Sequence, residues 1–311
     1  MGHTGGASFQ IAPEKTADAM VFSAYYLARV SDGVSLMVQG TKQNSDVSTL
    51  SGAAVGGRGE IVGLRALYDL PSTDKFYQNL NIGIDYKNFQ EDLVTGGGTI
   101  SSPIQYYPLT ANYGATWLAD RGFTEWNNSL NFHLRGLGSA ELDYANKRYN
   151  ADGSYVYLRS DLAHTHDVAG GSQVFGKIQG QLASQPLINN EQFAGGGLGT
   201  ARGYLEATAL GDNGLFGTVE FRSPSLIGAP SKTGTRADEW RFHAFADAGV
   251  LGSYDTLTAH SQYNFASVGL GTRLKVLNHY NGSLDVAVPL IDQPDAQSGD
   301  IRITFRGWAE F

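Results

Sequence analysis

The sequence predicts an all-β fold, a transmembrane antiparallel β-barrel, on three observations. Apolar and polar residues alternate with period two over long runs, so each run has one greasy and one wet face. The connections between runs alternate short and long, as in outer-membrane barrels with tight periplasmic turns and long external loops. Composition agrees, because of 311 residues only 17% are charged while 11% are aromatic and 40 are glycine. No apolar run approaches the ~18 residues of a spanning helix, which excludes a helical membrane protein.

The strands are expected near 18–29, 33–41, 58–70, 74–89, 104–118, 122–136, 153–167, 171–184, 214–223, 238–251, 263–276, 281–290 and 299–311. In 74–89, Leu80, Ile82, Ile84 and Tyr86 alternate with Asn79, Asn81, Gly83, Asp85 and Lys87. In 122–136, Trp126, Leu130, Phe132 and Leu134 oppose Asn127, Ser129, Asn131, His133 and Arg135. In 263–276, Ala266, Val268, Leu270 and Leu274 oppose Ser267, Gly269, Gly271, Arg273 and Lys275. In the last, Ile301, Ile303 and Phe305 oppose Arg302, Thr304 and Arg306. A soluble sandwich also alternates, but these runs match the ~9–11 residues of a tilted spanning strand. Charges and amides at mid-strand also suit a wet lumen.

Short connections fall at 30–32, 71–73, 120–121, 169–170 and 277–280, and long ones at 42–57, 90–103, 137–152, 185–213, 252–262 and 291–298. The connection 224–237 belongs to the short side yet is long, and spacing gives no reason for it. The first visible strand then runs from outside inward, whereas complete barrels keep both ends in the periplasm. Either N-terminal strands are missing or residues 7–12 form another; truncation is the reading adopted. One domain over 1–311 is expected. The start MGHTGGASFQ has no basic or apolar region, so no signal peptide is expected.

The longest patterned loop, Phe193 to Leu226, is rich in glycine and carries Arg202-Gly203-Tyr204 before a strand-like VEFR segment. It is too long for a simple connector. Folded into a lumen, it would set Arg202 against an acidic wall residue. Faces can be assigned: Trp240, Phe242, Ala244, Ala246, Ala248 and Val250 point out, so Asp247 points in. Leu215, Val219 and Phe221 point out, so Glu220 and Arg222 point in. Arg202 and Asp247 can then form a bidentate contact.

These segments together resemble the barrel of the Omp85 superfamily, and most closely the outer-membrane transporters of two-partner secretion, the hemolysin secretion/activation family. Phe193, Gly195, Gly196 and Gly197 followed by Arg202, Gly203 and Tyr204 match the family's inward-folding sixth loop, with Ala201 where Val is usual. Gly211-Asp212 with Glu220 and Arg222 matches the next strand, and Phe245, Asp247 and Gly249 match its F-x-D-x-G strand. Asn81 to Phe89 resembles the mid-barrel hairpin strand, and Phe311 the terminal signal read by the barrel-assembly machinery, with Ala309 where an aromatic is common.

The resemblance covers nearly the whole chain but only the C-terminal half of the family. It implies a barrel of sixteen strands preceded by a signal peptide, a plug helix and a pair of periplasmic POTRA domains, none of which is expected here. It further implies a pore in the bacterial outer membrane that secretes a partner exoprotein. The cargo would pass unfolded and be drawn by folding outside. The Arg202 loop would be the structural and gating element. Outer-membrane lipid, lipopolysaccharide and the assembly machinery are the other expected partners. POTRA domains would recognise the cargo, so this part alone should not be competent. A passive porin-like channel and an Omp85-type insertase are the alternatives.

Other chemistry is poorly supported. A net charge of −8 argues against nucleic acid. The absence of cysteine excludes thiol and disulfide chemistry. The 195–199 glycines lack the following helix that a phosphate loop needs, and suit φ > 0 packing in the lumen. His164 and His166, with Asp161 and Asp167, form too loose a set for a metal, so none is expected. No Gly-x-Ser-x-Gly elbow occurs, and the lumen charges Arg65 with Asp69, or Arg159 with Asp161, suit wall ion pairs better than acid–base catalysis. Neither enzyme activity nor a cofactor is expected. Tyr106, Tyr107, Tyr113, Trp117, Trp126, Trp240 and Trp308 fit interface girdles better than a sugar platform.

Overall fold

The computed structural model describes residues 2–11, 19–45, 58–90, 92–95, 98–228, 238–254, 257 and 261–309. Its strands are β1 (His3–Ile11), β2 (Ala19–Ser31), β3 (Val34–Ser45), β4 (Arg58–Asp69), β5 (Phe76–Gln90), β6 (Asp92–Thr95), β7 (Gly98–Ser101), β8 (Ile104–Tyr106), β9 (Leu109–Ala119) and β10 (Gly122–His133). They continue as β11 (Tyr155–Asp167), β12 (Gln173–Ala183), β13 (Phe193–Gly195), β14 (Ala209–Gly211), β15 (Asn213–Arg222), β16 (Glu239–Gly252), β17 (Gln262–Val276), β18 (Tyr280–Pro289) and β19 (Arg302–Ala309). The one α-helix described, α1 (Glu141–Lys147), lies between β10 and β11. No described helix is long and apolar enough to cross a membrane.

The main sheet has fifteen strands in the order β1-β2-β3-β4-β5-β9-β10-β11-β12-β15-β16-β17-β18-β19, with β8 beside β5. Consecutive neighbours are antiparallel, the meander that alternating turns and loops demand. β1 and β19 are the two ends of this order, and both line one cavity of about 1250 Å³, so the sheet wraps round a common lumen. The two-faced pattern is realised. Leu64, Ile82, Leu158, Ile178, Val219, Phe242 and Leu270 are exposed on the outer face. Arg65, Asp85, Glu220 and Asp247 are buried on the inner one. The large apolar outer surface is what a bilayer covers.

Two expectations change. Residues 3–11 do form a strand, paired along its whole length with β2 from His3↔Ala28 to Ile11↔Met20. The expected 104–118 strand is broken at 107–108, because Pro108 has no N–H to give the ladder. β8 pairs with Lys87, Asn88 and Phe89 near the outer end of β5 and β9 with Phe76 to Ile84, while Pro108 accepts from the Asp85 N–H at 3.0 Å. The long 224–237 connection begins as an extension of the β15–β16 ladder, with Ser223 N–H donating to Phe242 and Leu226 N–H to Trp240, both at 2.8 Å. Residues 229–237 and the terminal Phe311 lie outside the described residues.

The long loops fill the outer end of the lumen. There Phe89, Ile104, Tyr106, Tyr144, Tyr155, Tyr157, Leu187 and Ile188 form a buried cluster. α1 contributes only Tyr144 to it, which is why a seven-residue helix left no periodic trace in the sequence.

Candidate functional site

The connection from β12 to β15 turns back into the barrel. Its arms pair as the short β13–β14 hairpin, from Phe193↔Gly211 to Gly195↔Ala209. Beyond it, Gly196 and Gly197 have φ of 102° and 84°, values that a side chain would disfavour. Thr200 Oγ1 bonds both the N–H and the C=O of Gly196 at 2.9 Å, and Leu198 N–H donates to Glu206 at 2.7 Å. This self-bracing delivers Arg202 to the wall.

Arg202 is buried, and each of its three guanidinium nitrogens donates to a carboxylate. Its Nε donates to Asp247 Oδ2 at 2.9 Å and its Nη2 to Oδ1 at 2.8 Å, the bidentate fork expected from the sequence. Its own backbone N–H adds a bond to Oδ2 at 3.0 Å. Nη1 donates to Glu220 Oε1 at 2.7 Å, and the guanidinium stacks 3.4 Å from the Phe245 ring centroid. Burial alone pushes Arg202 towards its neutral form, but Asp247 and Glu220 outweigh it and hold the guanidinium charged. Thr218 Oγ1 also donates to Asp247, at 2.9 Å. Glu220 in turn receives Arg222 Nε at 2.9 Å and Arg273 Nη2 at 3.0 Å.

The neighbours fix the tip. Gly203 rests on β17 and β18: a Cβ there would come within 2.7 Å of the Ser267 side chain and 2.8 Å of the Pro289 nitrogen. The Tyr204 hydroxyl lies 2.9 Å from the carbonyl oxygen of Ala266 and 2.8 Å from that of Ile291. Its ring meets Phe265 edge-on at 5.0 Å, in a cluster with Phe193, Phe216 and Leu251. Gly249 lies under the Phe216 ring, where any side chain would collide. The structure therefore brings together Phe193, Arg202, Gly203, Tyr204, Glu220, Arg222, Phe245, Asp247 and Gly249.

A second group, which the sequence did not disclose, holds the root of the loop. Glu191 is buried and receives Lys87 Nζ and the Tyr106 hydroxyl, both at 2.5 Å, and the Tyr157 hydroxyl at 2.6 Å. Burial raises its pKa, but the Lys87 charge and these donors prevail and hold the carboxyl below the usual range. Asp212 has no exposed surface and accepts from Leu187 N–H at 2.8 Å, Tyr254 N–H at 2.7 Å and Arg148 Nη2 at 3.1 Å. Glu191 is a lone acid in an amide-rich run whose cation sits 104 residues away, so no local pattern marks it.

Wall charges pair differently from expectation. Arg65 bonds Asp85 at 2.8 Å, across one strand, rather than Asp69, which lies at the turn. Arg159 reaches Gln181 and the carbonyls of Glu191 and Gln192 rather than Asp161, which accepts from Asn127 at 3.2 Å. In both cases inward side chains reach the next strand rather than along their own, diagonally for Arg65 and Asp85 and directly opposite for Arg159 and Gln181. His164 bonds Thr124 at 2.8 Å and stacks on His166. Among the described residues no three potential metal ligands cluster.

The inward loop and the F-x-D-x-G strand that holds its arginine both lie in the stretch on which the family is decided. The haemolysin secretion/activation model (ShlB/FhaC/HecB) matches residues 107–274, more than half of the chain, and spans the loop and both carboxylate strands. The chain belongs to this family. It is thus a transmembrane β-barrel of the outer membrane, from a family of secretion pores rather than enzymes. Its fold is similar to that of CdiB from Escherichia coli, with a TM-score of 0.70 at 17% identity over 99% of this chain and 55% of that one. CdiB from Acinetobacter baumannii gives a TM-score of 0.63 at 14% identity, over 94% of this chain and 50% of that one. BamA from Haemophilus ducreyi lacking POTRA domains 1–3 gives 0.63 at 14% identity, over 94% and 62%. The chain therefore spans roughly half to three-fifths of the length of these structures. No curated protein matches it in sequence.

Proposed function

We propose that this chain is the conduit part of a two-partner secretion transporter and passes an unfolded exoprotein across the outer membrane. The observation that carries this reading is a wet lumen with a removable obstruction. The large cavity is faced by Gln39, Asn79, Asn81, Asn112, Asn127 and Gln179, neutral amides that can exchange hydrogen bonds with any passing backbone. Across it lies the loop, fixed to the wall chiefly by side-chain contacts centred on Arg202 and Tyr204. Contacts of this kind can be broken and remade without disturbing the strand ladders.

In this reading Arg202, Asp247 and Glu220 form a latch, with Phe245 as its floor and Gly249 and Gly203 giving it room. Phe193, Gly196, Gly197 and Tyr204 set the loop's shape, and Arg222 keeps Glu220 oriented. The apolar outer face contacts lipid and, in the outer leaflet, lipopolysaccharide, and the barrel-assembly machinery inserts the chain. The membrane carries no nucleotide fuel, so folding of the cargo outside would draw it through.

The test is comparative proteomics of culture medium from the parent strain, a strain lacking the gene, and that strain carrying Arg202→Ala. Loss of one large secreted protein in the deletion, and its marked reduction in the variant, is expected. An unchanged secreted set would overturn the reading and favour a passive channel; loss of integral outer-membrane proteins instead would favour an insertase.

A further inference from the structure

Below the loop tip the lumen opens into a second cavity of about 570 Å³. Its walls come from strand ends on the side of the barrel that carries the short turns: the start of β12, the end of β15, the start of β16, the end of β17, the start of β18 and the end of β19. It is therefore the periplasmic mouth. The loop residues Leu198, Gly199 and Arg202 form its roof.

Its charge is opposite to that of the chain. Around Arg202 the walls present Lys177, Arg222, Arg241, Arg273, Lys275 and Arg306, against only Glu220, Glu239 and Asp285. The acids are already committed. Glu220 alone serves Arg202, Arg222 and Arg273. Glu239 is taken by Arg241, and Asp285 by His243 at 2.6 Å. Lys177 and Lys275 have no acidic partner among the described residues, and Arg306 stacks on Trp308, 4.6 Å from the ring centroid. In a protein of net charge −8, this concentrates unneutralised cations inside one low-dielectric mouth, which focuses a positive field along the axis.

We propose that this vestibule is a docking site for an acidic polypeptide segment, the part of the cargo that first enters the barrel. The inference rests on the conduit reading for the identity of the occupant. A polypeptide is favoured over a lipid headgroup because the cations face the lumen, while the outer face of the same strands is apolar: Phe221 and Phe242 flank Arg222 and Arg241 in sequence and are exposed. Arg202 itself lines the roof of the cavity, so carboxylates bound in the mouth compete with Asp247 and Glu220 for the latch guanidinium. Occupancy of the mouth thus loosens the loop above it, which couples arrival of the segment to opening of its path.

The experiment is fluorescence anisotropy of labelled oligoglutamate with the full chain in a neutral detergent, against labelled oligolysine, across a range of salt. Wild type should bind oligoglutamate, with affinity falling steeply as salt rises, and should ignore oligolysine. Lys177→Glu with Lys275→Glu should weaken binding by about tenfold or more, since like-charge juxtaposition is strongly unfavourable. Lys177→Gln with Lys275→Gln should fall between them, which keeps the comparison valid if charge reversal disturbs folding. Equal binding of oligolysine, or unchanged oligoglutamate affinity in the glutamine variant, would overturn the vestibule. Failure here with an intact secretion phenotype removes the docking site and leaves the conduit. Binding here without any secretion phenotype removes the cargo assignment, and with it this proposal's occupant.

Discussion

Replacing Asp247 with Ala removes the counter-charge around which the Arg202 loop is organised. The variant loses both side-chain bonds of the fork, the Arg202 backbone bond and the Thr218 bond. Arg202 keeps Glu220 at 2.7 Å, so the guanidinium is not wholly orphaned. Removing one partner of a buried ion pair costs about 3–5 kcal/mol, and the surviving Glu220 contact places this case near the lower end, ~3 kcal/mol. At about 1.4 kcal/mol per tenfold, that shifts the docked-to-undocked ratio of the loop by roughly two orders of magnitude. In planar bilayers the variant should show a higher open probability and greater current noise than wild type. A double-mutant cycle with Arg202→Ala isolates the pair: each single change should have nearly the effect of both together. A steady, porin-like conductance indifferent to Asp247, or strictly additive effects in the cycle, would refute the latch.

Tyr204→Phe keeps the ring contact with Phe265 but removes the hydroxyl held between Ala266 and Ile291, and should lower stability by about 1 kcal/mol, read as a small fall in Tm in detergent. Glu191 titrates below its ordinary value in the folded chain, so its stabilisation is fully present above the unfolded pKa and is lost as pH falls through the folded one. Acidification across and below the usual carboxylate range should therefore loosen the outer end of the loop, seen as protease cleavage within 185–213, and Glu191→Gln should remove that pH dependence. Leu270→Arg puts a charge on an exposed outer-face position of β17 and should cost about 2–4 kcal/mol if it lies at mid-bilayer, measured by reversible unfolding from lipid vesicles. The same substitution at the inward Gly271 should fail differently, by collision with Asp285 and His243.

Much of this architecture is legible from local pattern. Period-two alternation is a property of neighbouring residues, so the faces of β5, β10, β16 and β17 follow from sequence alone. So does the inward direction of Glu220, Arg222 and Asp247, because one outward residue on a strand fixes every other. Arg202 could be matched to Asp247 because the loop had one conspicuous cation and Asp247 is the inward acid in the middle of the strand, whereas Glu239 stands at its start. The glycines at 196 and 197 were legible for the same reason, since φ > 0 is a demand on the residue itself.

Tertiary structure alone decided the rest, and distance along the chain is the common cause. Lys87, Tyr106 and Tyr157 converge on Glu191 from three strands and a separate loop, so no spacing rule encodes the site. Asp212 is surrounded by groups from three separate loops, and Arg65 finds Asp85 only once the β4–β5 register is set. The strand break at Pro108 follows from a residue the sequence displays, yet only the pairing shows which ladder position is lost. The basic mouth is likewise a property of closure: its cations are scattered over β12, β15, β16, β17 and β19. They share one cavity because a meandering sheet that wraps round brings the ends of all its strands to the same rim.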